Sequence, residues 1–288
     1  MNTIGNTPLI QIPEISNLAP HSHLWIKDES TNQSGTMEDR RSKAALELAQ
    51  KCGREHLCLV ATGNSALSLA TISVGSNLRV TAIVNPKVKA PVIEAMQKRR
   101  IKVVQHELET ALNSAQIQKL AKDKDNPNDT PLDITAYFHD AYKELYLEIV
   151  REINPDFIIA PYGTGEAVFG LVLGALAQQR ALSWAAPKNY PIITPKIIGV
   201  KPDQTDSLAD KLNNNHSPYP QFLVDHPRHF STISVDENQI QEAYNSASPH
   251  LQTEPSAAIA FAAIPELTSD PDTKGKKFVI INSGRSIF

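Results

Sequence analysis

Ser34-Gly35-Thr36-Met37-Glu38-Asp39-Arg40, continued by Arg41-Ser42-Lys43-Ala44-Ala45-Leu46-Glu47-Leu48-Ala49, is the stretch on which the reading of this chain turns. A glycine turn hands over to a charged first turn, and alanines and leucines then propagate a helix. Upstream, Leu24-Trp25-Ile26-Lys27 reads as a strand, so the order is strand, polar turn, helix. A helix start of this kind has room for something small and polar.

The same order recurs downstream. Leu57-Cys58-Leu59-Val60-Ala61 is a continuous apolar run suited to a strand buried on both faces. It meets Thr62-Gly63-Asn64-Ser65, and Ala66-Leu67-Ser68-Leu69-Ala70 begins another helix. A strand–turn–helix junction points free backbone N–H groups at an anion. Strands follow at 79–84 and 101–105, with helices at 88–99 and 111–122. This alternation predicts a parallel sheet with helical crossovers. The polar stretch 122–129 is a surface loop. From His139 to Glu152 the spacing predicts a helix whose Tyr142, Leu145, Tyr146 and Ile149 form a core stripe.

Asp156-Phe157-Ile158-Ile159-Ala160 is a further buried strand, and Gly163-Thr164-Gly165-Glu166-Ala167 leads from it into an apolar helix over 168–177. Alone, Gly-x-Gly between strand and helix is a weak phosphate-loop signal. A strand at 196–202 precedes a long irregular segment, 203–231, with some local helix and Asn213-Asn214-Asn215. Its His216, His226 and His229 lack the helical spacing of metal ligands, so no metal site is expected. Helices over 235–244 and from Glu254-Pro255-Ser256 lead to a closing strand, Phe278-Val279-Ile280-Ile281-Asn282, ending in Ser283-Gly284.

Composition narrows the classes. At 288 residues, 41% hydrophobic and 20% charged, the chain has ample core for one large or two ordinary domains. A net charge of −3 gives no basis for binding nucleic acid or an anionic membrane. Cys52 and Cys58 are too few for a disulfide framework and suit a reducing compartment. The N-terminus lacks a signal core, and no segment reaches the roughly 18 apolar residues of a span. A cytoplasmic protein is expected.

Six motifs, in order, resemble the fold-type II pyridoxal-phosphate enzymes: threonine synthase, cysteine synthase, the threonine dehydratases and the tryptophan synthase β-subunit. They are Gly5-Asn6-Thr7-Pro8-Leu9; Lys27-Asp28-Glu29 through Asn32 to Asp39-Arg40; Thr62-Gly63-Asn64-Ser65; the 163–167 turn; Ile198-Gly199-Val200-Lys201-Pro202 with Glu254-Pro255-Ser256-Ala257-Ala258; and Ser283 at the last strand end. The resemblance implies two three-layer α/β domains with mostly parallel sheets and a site in the cleft between them. The small domain would span 36–140, and the large one 1–35 plus 141–288. It also implies that Thr62, Gly63, Asn64 and Ser65 receive a substrate carboxylate. Asn64 and Ser283 would meet the cofactor ring, and Gly163, Thr164, Gly165, Glu166 and Ala167 its phosphate. A homodimer is implied as well.

Two departures fall on the chemistry. Glu38 stands where the family has the lysine that forms the Schiff base, and Lys43, five positions along the helix, faces about 140° away. Where many relatives have Gly-Gly-Thr or Gly-Gly-Ser, this chain has Gly165-Glu166-Ala167. A lone carboxylate about 5 Å from a phosphate repels it by on the order of 3 kcal/mol. In the first turn of a helix, by contrast, Glu38 gains about 0.3–1 kcal/mol from the dipole. The cofactor is therefore expected to be absent or weakly held, with no covalent attachment. Three readings stand. The chain is a pseudoenzyme that binds a small carboxylate, an amino acid or a protein partner. Or it is an enzyme that uses Glu38 as a general acid or base. Or it is a working lyase or synthase with an unrecognised lysine or a mutated parent.

Overall fold

The computed structural model describes residues 4–16, 18–19, 22–185, 193–212 and 219–286. In chain order the elements are β1 (Leu9–Ile10), α1 (Pro13–Ser16), β2 (His23–Asp28), α2 (Glu38–Lys51), β3 (His56–Val60), α3 (Asn64–Ile72) and β4 (Arg79–Val84). Next come α4 (Ala90–Lys98), β5 (Lys102–Gln105), α5 (Ser114–Ala121), β6 (Leu132–Asp133), α6 (Asp140–Glu152), β7 (Phe157–Pro161) and α7 (Glu166–Ala185). The remainder are β8 (Lys196–Pro202), α8 (Pro220–Val224), β9 (Phe230–Val235), α9 (Glu237–Ala247), α10 (Pro255–Ala262), α11 (Ile264–Ser269) and β10 (Lys277–Asn282).

The strands sort into a six-stranded sheet, β1-β2-β10-β7-β8-β9, and a four-stranded sheet, β5-β4-β3-β6. Every pairing is parallel except β1 with β2. Continuous apolar runs make this possible, because successive side chains of a strand point to opposite faces and both faces are covered. Along β10, Phe278 and Ile280 enter one core with Ile259 and Phe261 of α10, while Val279 and Ile281 enter another with Val168 and Leu171 of α7. In β3, Leu57 and Leu59 pack towards Leu67 and Leu69 of α3, and Cys58 and Val60 towards Ile117 of α5. The chain is thus α/β with mostly parallel sheets flanked by helices, as its alternation of elements predicts.

The segment expected to be irregular differs. Its last two residues, Phe230 and Ser231, open β9, which pairs with β8 from Ile197↔Phe230 to Pro202↔Val235. The reason is edge position: Ser231, Thr232 and Ser234 face partly or wholly away from the core, so the segment lacks the apolar run that marks the inner strands. Asn213 to Asn215 and His216 lie outside the described residues. The helix after the glycine turn is also longer than expected, beginning at Glu166 itself.

Helices α6 and α7 pack against each other through Gly170 and Gly174, one turn apart on α7. A Cβ added at Gly170 would lie 2.2 Å from the His139 carbonyl oxygen, and one at Gly174 would lie 2.6 Å from the Tyr146 ring. The first clash is with backbone, which cannot rotate aside. Gly170→Ala is expected to lower unfolding free energy by about 1–3 kcal/mol, read as a lower midpoint in urea denaturation.

Candidate functional site

The head of α2 is held from three sides. Met37 N–H donates to the Ser283 carbonyl at the end of β10 (2.8 Å), and Thr36 bridges to Gly284. Asp39, buried, accepts from Ser34 N–H (2.7 Å) and from the Ser34 and Ser68 hydroxyls. Arg40 turns inwards to Glu29 and Glu148. With these neighbours fixed, Glu38 and Arg41 project into the cleft between the two sheets.

Two small cavities open there, of about 100 and 80 Å³, with Glu38, Thr62, Ser65 and Lys211 in the walls of both. The first is closed by the 163–167 turn and Arg41, the second by Asn64, Glu254 and Ser283. Glu38, Thr62, Asn64, Ser65, Ser283 and the 163–167 turn, all expected at the site from the sequence, therefore line one or the other, and of that set Gly63 alone does not. Gly63 sits just behind, as the N-cap of α3 with φ +152°, a conformation that favours glycine. No side chain caps α3, so its opening amides are left for another acceptor. Both volumes fall below the roughly 300–1,000 Å³ of drug-sized ligand pockets, which points to a ligand of few atoms.

Glu166 does not act as a lone carboxylate. Buried at the head of α7, it accepts from Arg41 Nε (2.9 Å), the Phe138 N–H (2.8 Å) and the Tyr219 hydroxyl (2.9 Å). Arg41 in turn donates through Nη2 to the carbonyls of Ile134 (2.6 Å) and Thr135 (3.1 Å). The repulsion expected from an isolated Glu166 is accordingly that of an ion pair, which is smaller. Thr164 Oγ1 caps the Glu166 N–H at 3.4 Å.

Glu38 reverses another expectation. Its side chain is 22% exposed and lies 3.8 Å from Arg41 Nη1. Burial pushes its carboxyl up to about 7; Arg41 opposes the shift, Glu166 and Asp39 add to it, and a hydrogen bond from Tyr142 works against it. From an ordinary 4.5 that is a cost of roughly 3 kcal/mol for the ionised form. It outweighs the helix-dipole gain of about 0.3–1 kcal/mol, so local helix energetics do not account for a carboxylate here.

Several participants were not foreseen. Among the described residues Lys211 is the lysine that lines both cavities, and it is ion-paired with Glu254. It comes from the segment read as irregular loop, where no periodicity announces it. Glu254 belongs to a recognised motif, yet only the fold brings its Oε1 to Asn64 Nδ2, at 2.7 Å. Tyr142, assigned to the core stripe, is 1% exposed and is also Glu38's hydrogen-bond partner. Among the described residues, no group of His, Cys, Asp and Glu could hold a metal ion, and no helix is long and apolar enough to cross a membrane.

The sequence matches the family described as "Pyridoxal-phosphate dependent enzyme" over residues 1–284, and the chain belongs to it. Pyridoxal phosphate is the cofactor of that family. Solved structures share the fold. Serine racemase from maize superposes with a TM-score of 0.76 at 18% identity, covering 97% of this chain and 88% of its own. Cysteine synthase from Entamoeba histolytica gives 0.75 at 16% identity, covering 99% and 86%. Serine racemase from Dictyostelium discoideum gives 0.73 at 18%, covering 97% and 92%.

The raised Glu38 carboxyl has a signed consequence for stability. A group whose folded value exceeds its unfolded one favours folding while protonated, and that advantage is lost as pH rises through the folded value. The loss here runs from about 4.5 to about 7. Glu38→Gln is expected to match wild type in thermal unfolding at pH 4.5 and to exceed it at pH 8, by up to about 3 kcal/mol.

Proposed function

We propose that this chain keeps the fold-type II scaffold as a ligand-binding pseudoenzyme, taking a small carboxylate at the Thr62-Gly63-Asn64-Ser65 junction without Schiff-base chemistry. The observation that carries this reading is the donor set of the cleft: a carboxyl at Glu38 and an ion-paired carboxylate at Glu166, with Lys211, the amine among the described residues of the walls, engaged by Glu254.

The same set does not fit covalently held pyridoxal phosphate. An imine needs a primary amine, which Glu38 lacks, and the Lys211 amine is already paired with Glu254. At the glycine turn, Glu166 already takes up the Arg41 guanidinium. The 210–212 turn lies over that loop, with the Leu212 Cα only 3.2 Å from where a Gly163 Cβ would be. No step through the cofactor is therefore derived. What the chain supplies is an uncapped helix start, whose amides and partial positive charge suit a carboxylate. Asn64, tied to Glu254 across the cleft, holds that loop against the opposite wall.

Two measurements test the reading. After incubation with pyridoxal phosphate and borohydride reduction, intact-mass spectrometry is expected to show no site-specific adduct; a cofactor mass confined to Lys211 would overturn it. Calorimetric titration with acetate and propanoate is expected to show binding that Asn64→Ala weakens about tenfold. Affinity indifferent to that substitution moves the carboxylate elsewhere.

A further inference from the structure

Strand β5 is an outer strand of the four-stranded sheet, and its two faces are covered unequally. Helix α4 packs against one face, where Val103 joins the core around Met96. On the other face α5 lies across β3, β4 and β6, and Val104 meets the core beneath it only at the fringe, with Leu112 and Leu120. These three half-buried side chains floor a groove of about 690 Å³ between β5 and α5. That volume lies within the roughly 300–1,000 Å³ of small-molecule pockets. None of the residues lining the groove lines a cleft cavity.

Charge is distributed unevenly along the groove. Helix α5 returns from β5 to β6, which runs parallel to it in the same sheet, so the end of α5 lies beside the start of β5. Lys102 opens β5, Lys119 lies in the last turn of α5, and Lys122 and Lys124 follow that helix. All four lysines line the groove, are exposed, and have no ion pair among the described residues. Asp123 stands among them, but its carboxylate accepts from the Asp125 N–H (3.1 Å) and lies 3.4 Å from Arg79. Asp125 is left as the countercharge to four lysines, in a chain whose net charge is −3. The far end, at Gln116 and Leu112, has neither lysine nor carboxylate among its lining residues. Lysines at a helix C-terminus complement its dipole, and one on an edge strand discourages strand pairing. Neither role accounts for an apolar trough leading away from them.

We propose that this groove binds a free single-chain amphiphilic anion, with its carboxylate or phosphate head among the four lysines and its alkyl tail along Leu120, Val104 and Leu112. From Lys102 to His106 a strand rises about 13 Å, which matches an extended tail of about eight to ten carbons. No covalent bond is formed or broken. The lysines draw in the head, and the tail leaves water for the aliphatic floor. An ammonium head is repelled, and a tail with a neutral head forgoes the lysines.

The experiment titrates the full chain calorimetrically with butanoate, hexanoate, octanoate and decanoate below their micelle-forming concentrations, beside octyl phosphate, 1-octanol and octylammonium. Affinity is expected to rise about two- to fourfold per added methylene. Octanoate or octyl phosphate should bind at least about tenfold more tightly than 1-octanol, and octylammonium should not bind. Exchanging both exposed lysines, Lys102→Gln with Lys122→Gln, should weaken the octyl anions about tenfold, whereas Asn64→Ala in the cleft should leave them unchanged. Val104→Ser, with its fold checked by circular dichroism, should flatten the dependence on chain length. The inference is overturned by affinity independent of chain length, by octylammonium binding as well as octanoate, or by binding of neither octyl anion. Octanoate binding that responds to Asn64→Ala and not to the lysine pair overturns it too, because the carboxylate then sits in the cleft. So does hexaglutamate binding as tightly as octanoate, which makes the lysines a patch for acidic peptides, or association with phosphatidylglycerol vesicles in place of the free anion.

Discussion

Arg40 is the residue on which the rest depends. Its guanidinium makes two paired contacts, Nε and Nη2 to Glu29 and Nη1 and Nη2 to Glu148, all between 2.7 and 2.8 Å. Glu29 follows β2, Glu148 lies on α6 and Arg40 on α2, so one side chain joins three elements. Lys27 adds a buried ammonium 2.9 Å from Glu148. Burial alone would raise the Glu148 carboxyl; hydrogen bonds and charge from Arg40 hold it down to about 2. Such a cluster is a constraint more than a source of stability, because desolvating the ions offsets much of their attraction. Losing any one member strands the others as buried charges, and that is what fixes the geometry.

With the head of α2 fixed, the charges next to Arg40 acquire defined tasks. Arg41 is one residue on and points the other way, into the cleft, where Glu166 meets it. That ion pair knits α2 to α7 across the space between the sheets, and Tyr219 and the Phe138 amide complete the coordination of the carboxylate. Glu38 is left with burial, one shared cation and two neighbouring carboxylates. Its weakened acidity is a product of position, since the same residue on an exposed helix start would ionise readily. The group least at ease in the folded state is also the one placed against the cavity, a pattern common at functional sites.

Much of the scaffold was legible in the residues. Leu57 to Ala61, Asp156 to Ala160 and Phe278 to Asn282 are apolar on both faces, and only a sheet covered on both sides accommodates such runs. The site's polar junctions were legible for a related reason: Gly63, Gly165 and Gly35 have positive φ at turns between strands and helices, and glycine marks such turns in a sequence. Strand β9 was not legible, because an edge strand tolerates serine and threonine where an inner strand does not. Lys211 was not legible either, since it reaches the cleft from a short turn with no periodicity of its own.

The sequence by itself determined the alternation of strands and helices, the parallel sheets and the identity of the side chains at each strand end, because these follow from local pattern and chain connectivity. It also placed a carboxyl at position 38. What that carboxyl does was decided only by tertiary structure. Whether Glu38 ionises depends first on its burial and then on Arg41, Glu166 and Tyr142, which come from three different helices. Whether Glu166 opposes an anion or neutralises a cation depends on Arg41, 125 residues away in the chain. Charge interactions depend on distance and on exclusion from water, and neither quantity exists until the chain has folded.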